Sequence, residues 1–173
     1  FFSPDMHASY RTRVSLEKDL RRAIAQHEFE LHYQPLVSLS RDRITAVEAL
    51  VRWRHPTHGL VAPSRFIHFA EETGVIHEIS RWVLETGCAQ LAVWLRQFPD
   101  LRLTTNLSSR DFDESDLADT VSRALSSNGL AAASLELEIT ENLLLENSGR
   151  IAPRLHDLRE LGVGVAIHDF GTG

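Results

Sequence analysis

The sequence contains one cysteine, one methionine and no apolar run that approaches the roughly 18–20 residues of a transmembrane helix. Because a disulfide requires two thiols, Cys88 cannot form one within the chain. Its position in a helical apolar pattern favours a buried core thiol and a reducing, cytoplasmic compartment. Basic residues are in the minority, since 18 Lys and Arg oppose 24 Asp and Glu, for a net charge of -6. This balance argues against binding to a nucleic-acid polymer or an anionic membrane surface, both of which favour basic patches.

The two ends of the sequence lack the features of natural termini. The chain starts at Phe1 without an initiator Met or a signal-peptide pattern, and it stops at Gly173 in a loop-like Gly-Thr-Gly stretch. We therefore expect a segment of a longer protein. Residues 14–24 have apolar positions near helical spacing, which predicts a lead-in helix, and residues 1–15 are expected to form a linker from an upstream domain.

Four apolar, strand-like runs each carry a polar residue of the kind that binds metal ions. These residues are Glu48 in ITAVEALVRW, Asn106 in LRLTTNLS, Glu138 in SLELEIT and Asp169 in VGVAIHDFG. Strands that alternate with helices lie parallel, so their C-terminal ends meet on one face of a sheet or barrel. Four oxygen ligands on one face suggest a divalent-metal site.

Hydrophobic alternation predicts five strands, over residues 28–39, 44–53, 101–107, 134–140 and 163–168. The turn at 40–43 is too short for a parallel crossover, so the first strand must run antiparallel to the second. Residues 54–63, with two prolines and a glycine, are predicted to form a loop.

The spacing of apolar residues predicts helices in the segments between these strands. A short helix ends near Gly74, and a longer one has an apolar face that runs from Ile76 to Phe98. The next helix spans 114–127, with Asp113 as its expected N-cap and Gly129 as its stop. Pro153 predicts that the last helix begins near residue 152.

Six short motifs carry a family resemblance. They are YQP at 33–35, EALVRWRHP at 48–56, FAEETGVI at 69–76, TNLS at 105–108, LELEITE at 135–141 and DFGTG at 169–173. Their order and spacing closely resemble the EAL family of cyclic di-GMP phosphodiesterases, from about residue 16 to Gly173. The segment ASYRTRVSLEKDLRRAI is similar to the connector that follows a GGDEF domain in tandem signalling proteins.

The resemblance implies a fold, a reaction and partners. The expected fold is α/β, a modified (β/α)8 TIM-like barrel with an antiparallel first strand, of which residues 16–173 hold the N-terminal two-thirds with five strands. Family enzymes use two Mg2+ or Mn2+ ions to hydrolyse cyclic di-GMP to pGpG. The resemblance also implies a homodimer through the EAL domain and an upstream GGDEF or sensory domain. The location would be the cytoplasm, or the cytoplasmic part of a membrane-anchored sensor.

The resemblance assigns metal-site roles residue by residue. Glu48, Asn106 and Glu138 match the family's ligands for the first metal. His168 and Asp169 occupy the positions of the family's Asp-Asp pair, and Glu48 and Asp169 are the expected catalytic residues. Such residue types suit the chemistry, because two hard cations held by oxygen ligands can neutralise a phosphodiester and activate water.

Two further residues match positions that contact the substrate in the family. Arg52, four residues beyond Glu48, matches a contact to the substrate phosphate, and Gln34 matches a position near the bound nucleotide. A guanidinium suits this role because it can donate two parallel hydrogen bonds to phosphate oxygens.

Two departures from the family pattern leave the activity open. His168 stands where the family has a metal-bridging aspartate, and an imidazole offers one lone pair to one metal and no negative charge. The family's later catalytic lysine and a further glutamate ligand are not among these 173 residues. Three functions therefore stay open: an active phosphodiesterase domain, a degenerate domain that binds cyclic di-GMP or a partner without hydrolysis, and a scaffold for interaction or dimerisation.

The sequence pattern also leaves neighbouring candidates open. Glu136 and Glu138 share one face of a strand and Glu141 follows closely, so only the family match favours Glu138. His55 and His58 have the spacing of a metal-binding pair. No Cys or further His lies at ligand spacing, however, so they are expected to be loop residues. The three tryptophans are expected in the core or an interface.

Overall fold

The computed structural model describes residues 17–168, apart from the side chains of residues 142 and 146–148. They form a mixed sheet of six strands with the helices packed against one face. The strands are β1 Phe29–Ser38, β2 Arg43–His55, β3 Gly59–Val61, β4 Arg102–Asn106, β5 Leu135–Thr140 and β6 Gly164–His168. The helices are α1 (residues 17–25), α2 Ile67–Thr73, α3 Ile76–Trp94, α4 Leu117–Ser127 and α5 Glu141–Glu160. Short 3-10 turns cover Pro63–Arg65, Ser109–Asp113 and Ala132–Ser134.

The sheet has the strand order β1-β2-β4-β5-β6, and β3 pairs with the end of β2. β1 runs antiparallel to β2, which confirms the inference from the short turn. β4 lies parallel to β2, β5 to β4, and β6 to β5. Within residues 17–168, β1 and β6 each have a strand on one side only, so this part of the fold is an open sheet.

The loop predicted over residues 54–63 contains the short strand β3, so that prediction is wrong in part. Val61 pairs with Trp53, and Leu60 with Arg54, in antiparallel register. Gly59 has a φ of 68°, a conformation that glycine adopts without steric cost, and this allows the tight reversal. A three-residue strand is too short for an alternating pattern to reveal it.

The last helix begins at Glu141 and not near residue 152, so the prediction from proline is also wrong. Pro153 lies inside α5, where it removes one backbone hydrogen bond at a cost of about 3 kcal/mol. Leu143, Ile151 and Leu158 are 4%, 0% and 0% exposed. Their burial where α5 packs on β5, β6 and α4 outweighs the cost of the proline.

Two other helix boundaries differ from the predictions. Asp113 ends a 3-10 turn, and Asp116 occupies the N-cap position of α4 instead. Gly129, with a φ of 64°, follows the end of α4 as predicted. α3 ends at Trp94, and Phe98 lies beyond it with 57% exposure. Residue 99 is proline, which disfavours a helical conformation at Phe98.

The core lies between the helices and one face of the sheet. Cys88 is fully buried there, as predicted, and its burial raises the pKa of the thiol to about 11. Gly87 lets α3 approach the sheet closely, because a Cβ atom at this position would lie 2.9 Å from Cδ2 of Leu103. None of the helices within residues 17–168 is long and apolar enough to span a bilayer.

Alternation along the strands separates a core face from a polar face. The core face carries buried apolar residues such as Val47, Ala49, Val51, Leu103 and Leu137. The register places their sequence neighbours on the other face, which includes Glu48, Thr104, Asn106, Glu136 and Glu138. The polar face therefore collects the residues that the sequence singled out.

Candidate functional site

Three of the predicted metal ligands come together on neighbouring strands, and Glu48, Asn106 and Glu138 are called the rim below. Nδ2 of Asn106 donates a hydrogen bond of 2.8 Å to Oε1 of Glu48. Asn106 also pairs directly with Glu138 in the register of β4 and β5. Because the amide nitrogen faces Glu48, the amide oxygen remains an acceptor for a cation. Glu138 is 8% exposed, whereas Asn106 is exposed, so the rim extends from the sheet to solvent.

The register separates the glutamates that the sequence pattern left open. Glu136 pairs with Thr104, and its carboxylate accepts a hydrogen bond of 3.1 Å from Nη1 of Arg102 at the start of β4. Glu138 lies two residues nearer the C-terminal ends of the strands, beside Asn106. Glu141 lies in the first turn of α5. The fold thus brings Glu138, rather than Glu136, to Asn106.

The two predicted substrate contacts lie on the β1–β2 hairpin. Gln34 pairs with Glu48, and Arg52 lies four residues beyond Glu48 on the same face of β2. Nη1 of Arg52 donates a hydrogen bond of 2.9 Å to the carbonyl oxygen of Val51. A guanidinium has five N–H donors, so others remain for an anion.

His168 ends β6 as an exposed residue on the same face as the rim. It pairs with Thr140, two positions beyond the pairing of Ala166 with Glu138. Asp169, the other residue of the predicted pair, lies outside the described residues. Within residues 17–168, no three His, Cys, Asp or Glu side chains form a metal-binding group. The rim itself offers two carboxylates and one amide oxygen, which are donors that suit Mg2+ or Mn2+.

Sequence reasoning missed a buried polar group in the 3-10 turn that follows Asn106. Asp111 is 3% exposed and accepts hydrogen bonds from the backbone N–H of Ser108 at 2.9 Å and the hydroxyl of Ser80 at 2.8 Å. The Ser108 hydroxyl donates to Oε1 of Glu71 at 2.7 Å. Ser108 and Asp111 have the Ser-x-x-Asp spacing of a capping box. This spacing is the sequence signal from which their contact could have been predicted.

His77 extends this buried group toward the surface. Its Nδ1 lies 3.3 Å from Oδ1 of Asp111, and its Nε2 lies 3.3 Å from Oε1 of Glu114. The hydrogen bond with Asp111 raises the pKa of His77 above its usual value, although partial burial acts in the opposite direction.

A cleft of about 370 Å³ opens beside Asn106, between β2, β4 and the helices α2 and α3. Asn106, Ser108 and Glu71 contribute polar atoms to its lining. A cleft of this size is within the range of small-molecule sites. Of the rim residues, Asn106 borders this cleft, together with Ser108 and Glu71 from the turn after β4 and from α2.

His55 and His58 lie apart from the rim, at the β2–β3 hairpin. Their ring centroids are 4.5 Å apart. Nδ1 of His55 accepts hydrogen bonds from the backbone N–H of Thr57 at 3.1 Å and of His58 at 3.3 Å. These local bonds show that the His-x-x-His spacing belongs to the structure of the turn. His55 itself is the last residue of β2, so the prediction that it lies in a loop is wrong.

Comparison with known proteins places this geometry in a family. The EAL domain model matches residues 17–173. The chain is 42% identical over 174 residues to the cyclic di-GMP phosphodiesterase NbdA of Pseudomonas aeruginosa, and the match covers all of this chain and 22% of that protein. It is 41% identical over 174 residues to the oxygen sensor protein DosP of Escherichia coli, again with 22% of that protein covered.

Comparison of the fold with solved structures finds relatives of the same kind. The chain matches a solved complex of the MucR phosphodiesterase with c-di-GMP at a TM-score of 0.87 and 40% identity, covering 92% of this chain and 65% of that one. The chain thus spans about a fifth of the curated relatives and about two-thirds of the solved chain. These neighbours confirm the predicted fold, a part of a modified TIM-like barrel. By its motifs, its fold and the match over residues 17–173, the chain belongs to the EAL domain family.

Proposed function

We propose that this chain is the N-terminal part of an EAL domain that hydrolyses one phosphodiester of cyclic di-GMP to give pGpG. The proposal depends above all on the rim, where Asn106 contacts Glu48 and pairs with Glu138. Relatives that are named cyclic di-GMP phosphodiesterases, and a related structure bound to c-di-GMP, support the choice of nucleotide.

The rim residues are proposed to hold two divalent ions, Mg2+ or Mn2+. When bound, such ions neutralise a phosphodiester and lower the pKa of a coordinated water. Glu48, Asn106 and Glu138 would supply oxygen ligands, and His168 and Asp169 would complete the site from the end of β6. Glu138 is buried, so a cation held at the rim would compensate for the hydration that its carboxylate loses.

Arg52 and Gln34 are proposed to position the nucleotide. Arg52 lies on β2, four residues beyond Glu48, and Gln34 lies directly opposite Glu48 on β1. The guanidinium of Arg52 would hold a non-bridging phosphate oxygen, and the Gln34 amide would contact the nucleotide beside it. These contacts bind and orient the substrate and do not by themselves require hydrolysis.

A second candidate function, favoured by His168, is binding of cyclic di-GMP without hydrolysis. His168 extends the polar face at the end of β6, two positions beyond the neighbour of Glu138. An imidazole at the position of the family's bridging carboxylate weakens a two-metal site, because one lone pair cannot be shared between two cations. The nucleotide contacts would be retained in this case, and the domain would act as a receptor.

A matched pair of variants in the complete EAL domain containing this segment tests the hydrolytic proposal. Glu138→Gln and Glu136→Gln change the same residue type on the same face of β5, but only Glu138 lies beside Asn106. Conversion of cyclic di-GMP to pGpG with Mn2+ can be measured by chromatography. Glu138→Gln should reduce turnover by at least about 10- to 100-fold, while Glu136→Gln should leave it within about twofold.

The wild-type result separates the two candidate functions. Turnover that depends on Mn2+ and on Glu138 supports hydrolysis. Nucleotide binding without turnover supports the receptor function. Equal turnover in the Glu138→Gln and Glu136→Gln proteins would exclude Glu138 as a metal ligand.

The proposal also covers the flanking domain, the oligomeric state and the cellular location. Residues 1–15 would link it to an upstream GGDEF or sensory domain, and the domain would form a homodimer in the cytoplasm. The polar segment before α1 and the similarity to multidomain proteins such as MucR support this arrangement. An alternative role as an interaction scaffold predicts dimerisation without nucleotide binding, which calorimetry and light scattering distinguish.

A further inference from the structure

Asp111 is an acidic residue in a place where an isolated charge would be costly. Its side chain is 4% exposed and faces three potential donors: the Ser108 backbone N–H, the Ser80 hydroxyl and Nδ1 of His77. A buried carboxylate is stable only when such donors compensate for its lost hydration. The donors come from α3 and from the turn after β4, so Asp111 joins these two elements.

The turn that Asp111 holds begins at the rim. Ser108 is two residues after Asn106, and its hydroxyl donates to Glu71 of α2. On the other side, the backbone N–H of Leu107 donates a hydrogen bond of 2.9 Å to the carbonyl oxygen of Glu138. Residues 106–108 are thus held by the sheet on one side and by Asp111 and Glu71 on the other.

The geometry around His77 favours its protonated form. Each of its ring nitrogens faces a carboxylate oxygen at 3.3 Å, from Asp111 on one side and Glu114 on the other. A neutral imidazole carries one N–H and would present a lone pair to one of these carboxylates, whereas an imidazolium presents an N–H to each of them. The protonated ring is therefore the form that can bridge Asp111, by a hydrogen bond, and Glu114, by an ionic contact at 3.3 Å.

Other charged groups near His77 do not replace it in this bridge. Asp113 adds negative potential, which also favours the protonated ring. Arg81, one turn further along α3, pairs with Asp116 at 4.0 Å. On the neighbouring residue of α3, Glu78 pairs with Arg21 of α1 at 2.5 Å.

We propose that Asp111 is a positioning residue for the rim: by holding Ser108, Asp111 orients Asn106 toward Glu48. Loss of the proton from His77 loosens this hold on Ser108. The inference rests on the proposed role of Asn106 as a metal ligand. It predicts a pH-dependent contribution to metal affinity from His77 and Asp111, which are not among the rim residues.

The sign of the pH dependence follows from the raised pKa of His77. A group whose folded-state pKa lies above its unfolded value of 6.5 contributes fully below that pH. The contribution is lost as the pH rises through the folded-state pKa. The hold on Ser108 should therefore be strongest near pH 6 and weakest in the alkaline range.

Mn2+ binding to the complete EAL domain, measured by calorimetry from pH 6 to 8.5, tests the proposal. At each pH, the affinity of a variant is divided by that of the wild type, so that pH effects common to both proteins cancel. His77→Gln should weaken binding about tenfold at pH 6, at the lower end of effects typical of groups that orient a metal ligand, and the difference should vanish by pH 8.5. Asp111→Asn should weaken binding at both ends of the range.

Glu78→Gln is the matched control, because it breaks an ion pair on the same turn of α3 without touching Asp111. It should leave Mn2+ affinity unchanged. A purely structural role for His77 would lower the melting temperature but give the same affinity ratio at every pH, and that result would overturn the proposal.

A metal-free measurement separates this inference from the proposed function. Hydrogen exchange of the Ser108 amide reports directly on its bond to Asp111. Exchange relative to the unstructured rate should become faster in Asp111→Asn and, near pH 6, in His77→Gln. Unchanged protection in both variants would contradict the proposal even if the domain hydrolyses the nucleotide. Altered protection without turnover would contradict only the proposed function.

Discussion

The side-chain amide of Asn106 donates a hydrogen bond of 2.8 Å to the carboxylate of Glu48, between the parallel strands β4 and β2. The two residues are 58 positions apart in the sequence. The bond orients the amide so that its oxygen remains available as an acceptor, and it fixes one oxygen of Glu48. One contact thus holds two of the three rim residues together.

Replacing Asn106 should therefore damage the site in two ways. Asn106→Ala in the complete EAL domain removes a proposed oxygen ligand and the amide that donates to Glu48. We expect Mn2+ affinity to fall by about 10- to 100-fold in calorimetry. Arg102→Ala, at the other end of β4, should leave the affinity unchanged, and equal losses in both variants would argue against a metal site at Asn106.

Arg52 should contribute to nucleotide affinity independently of hydrolysis. Arg52→Ala is expected to weaken cyclic di-GMP binding by about 10-fold or more, because a charge-assisted hydrogen bond to phosphate is lost. Arg54→Ala is the matched control, since Arg54 lies two residues further along the same face and pairs with Glu30. Equal calorimetric affinity of the Arg52→Ala protein and the wild type would exclude Arg52 from the binding site.

Restoring a carboxylate at the end of β6 should raise activity if the bridging position limits it. His168→Asp in the complete domain is expected to increase Mn2+-dependent formation of pGpG by about 10- to 100-fold. Nucleotide binding by the same protein serves as the control for folding. Unchanged turnover with intact binding would mean that histidine is an adequate ligand or that another defect dominates.

Trp53 should be the most sensitive aromatic residue of the core. It is 2% exposed, packs against Phe29 and Phe66, and donates a hydrogen bond of 3.0 Å to Glu28. Trp53→Ala is expected to lower the free energy of unfolding by about 3–5 kcal/mol in urea titrations. Trp53→Phe retains a ring but leaves Glu28 without this donor, for a loss of about 1–3 kcal/mol.

The Glu28 carboxylate adds a pH test to the same pair of variants. Burial alone would raise the pKa of Glu28, but hydrogen bonds from Trp53 and Arg22 outweigh it and lower that pKa below 4.5. Its stabilising contribution is therefore present above the unfolded value and lost as the pH falls through the folded-state pKa. The destabilisation by Trp53→Phe should shrink in strong acid, and a constant difference down to pH 2 would contradict the role of this bond.

The polypeptide of residues 1–173 should self-associate when it is produced alone. In the described sheet, β1 and β6 each have an open edge with backbone groups that can pair with another chain. Leu39, Ile44 and Ile167 are also 96%, 52% and 49% exposed. Size-exclusion chromatography with light scattering should find oligomers or aggregates, and a stable monomer of 19.5 kDa would contradict this prediction.

The sequence by itself determined the family, the antiparallel first strand and the strands that carry the rim. These features depend on local patterns: motifs in a fixed order, alternation of apolar residues, and a turn too short for a parallel crossover. The same local reasoning missed β3, which is too short to show a pattern. It also placed the start of α5 too late, because burial of Ile151 and Leu158 outweighs the preference of proline for a helix end.

Only the tertiary structure decided which residues meet. Strand register, which is set by pairing between distant segments, brings Glu138 rather than Glu136 beside Asn106. His77 and Asp111 are 34 residues apart, and no local pattern predicts their contact. It forms because α3 packs against the turn that follows β4, and a packing of separate elements depends on the shape of the whole core.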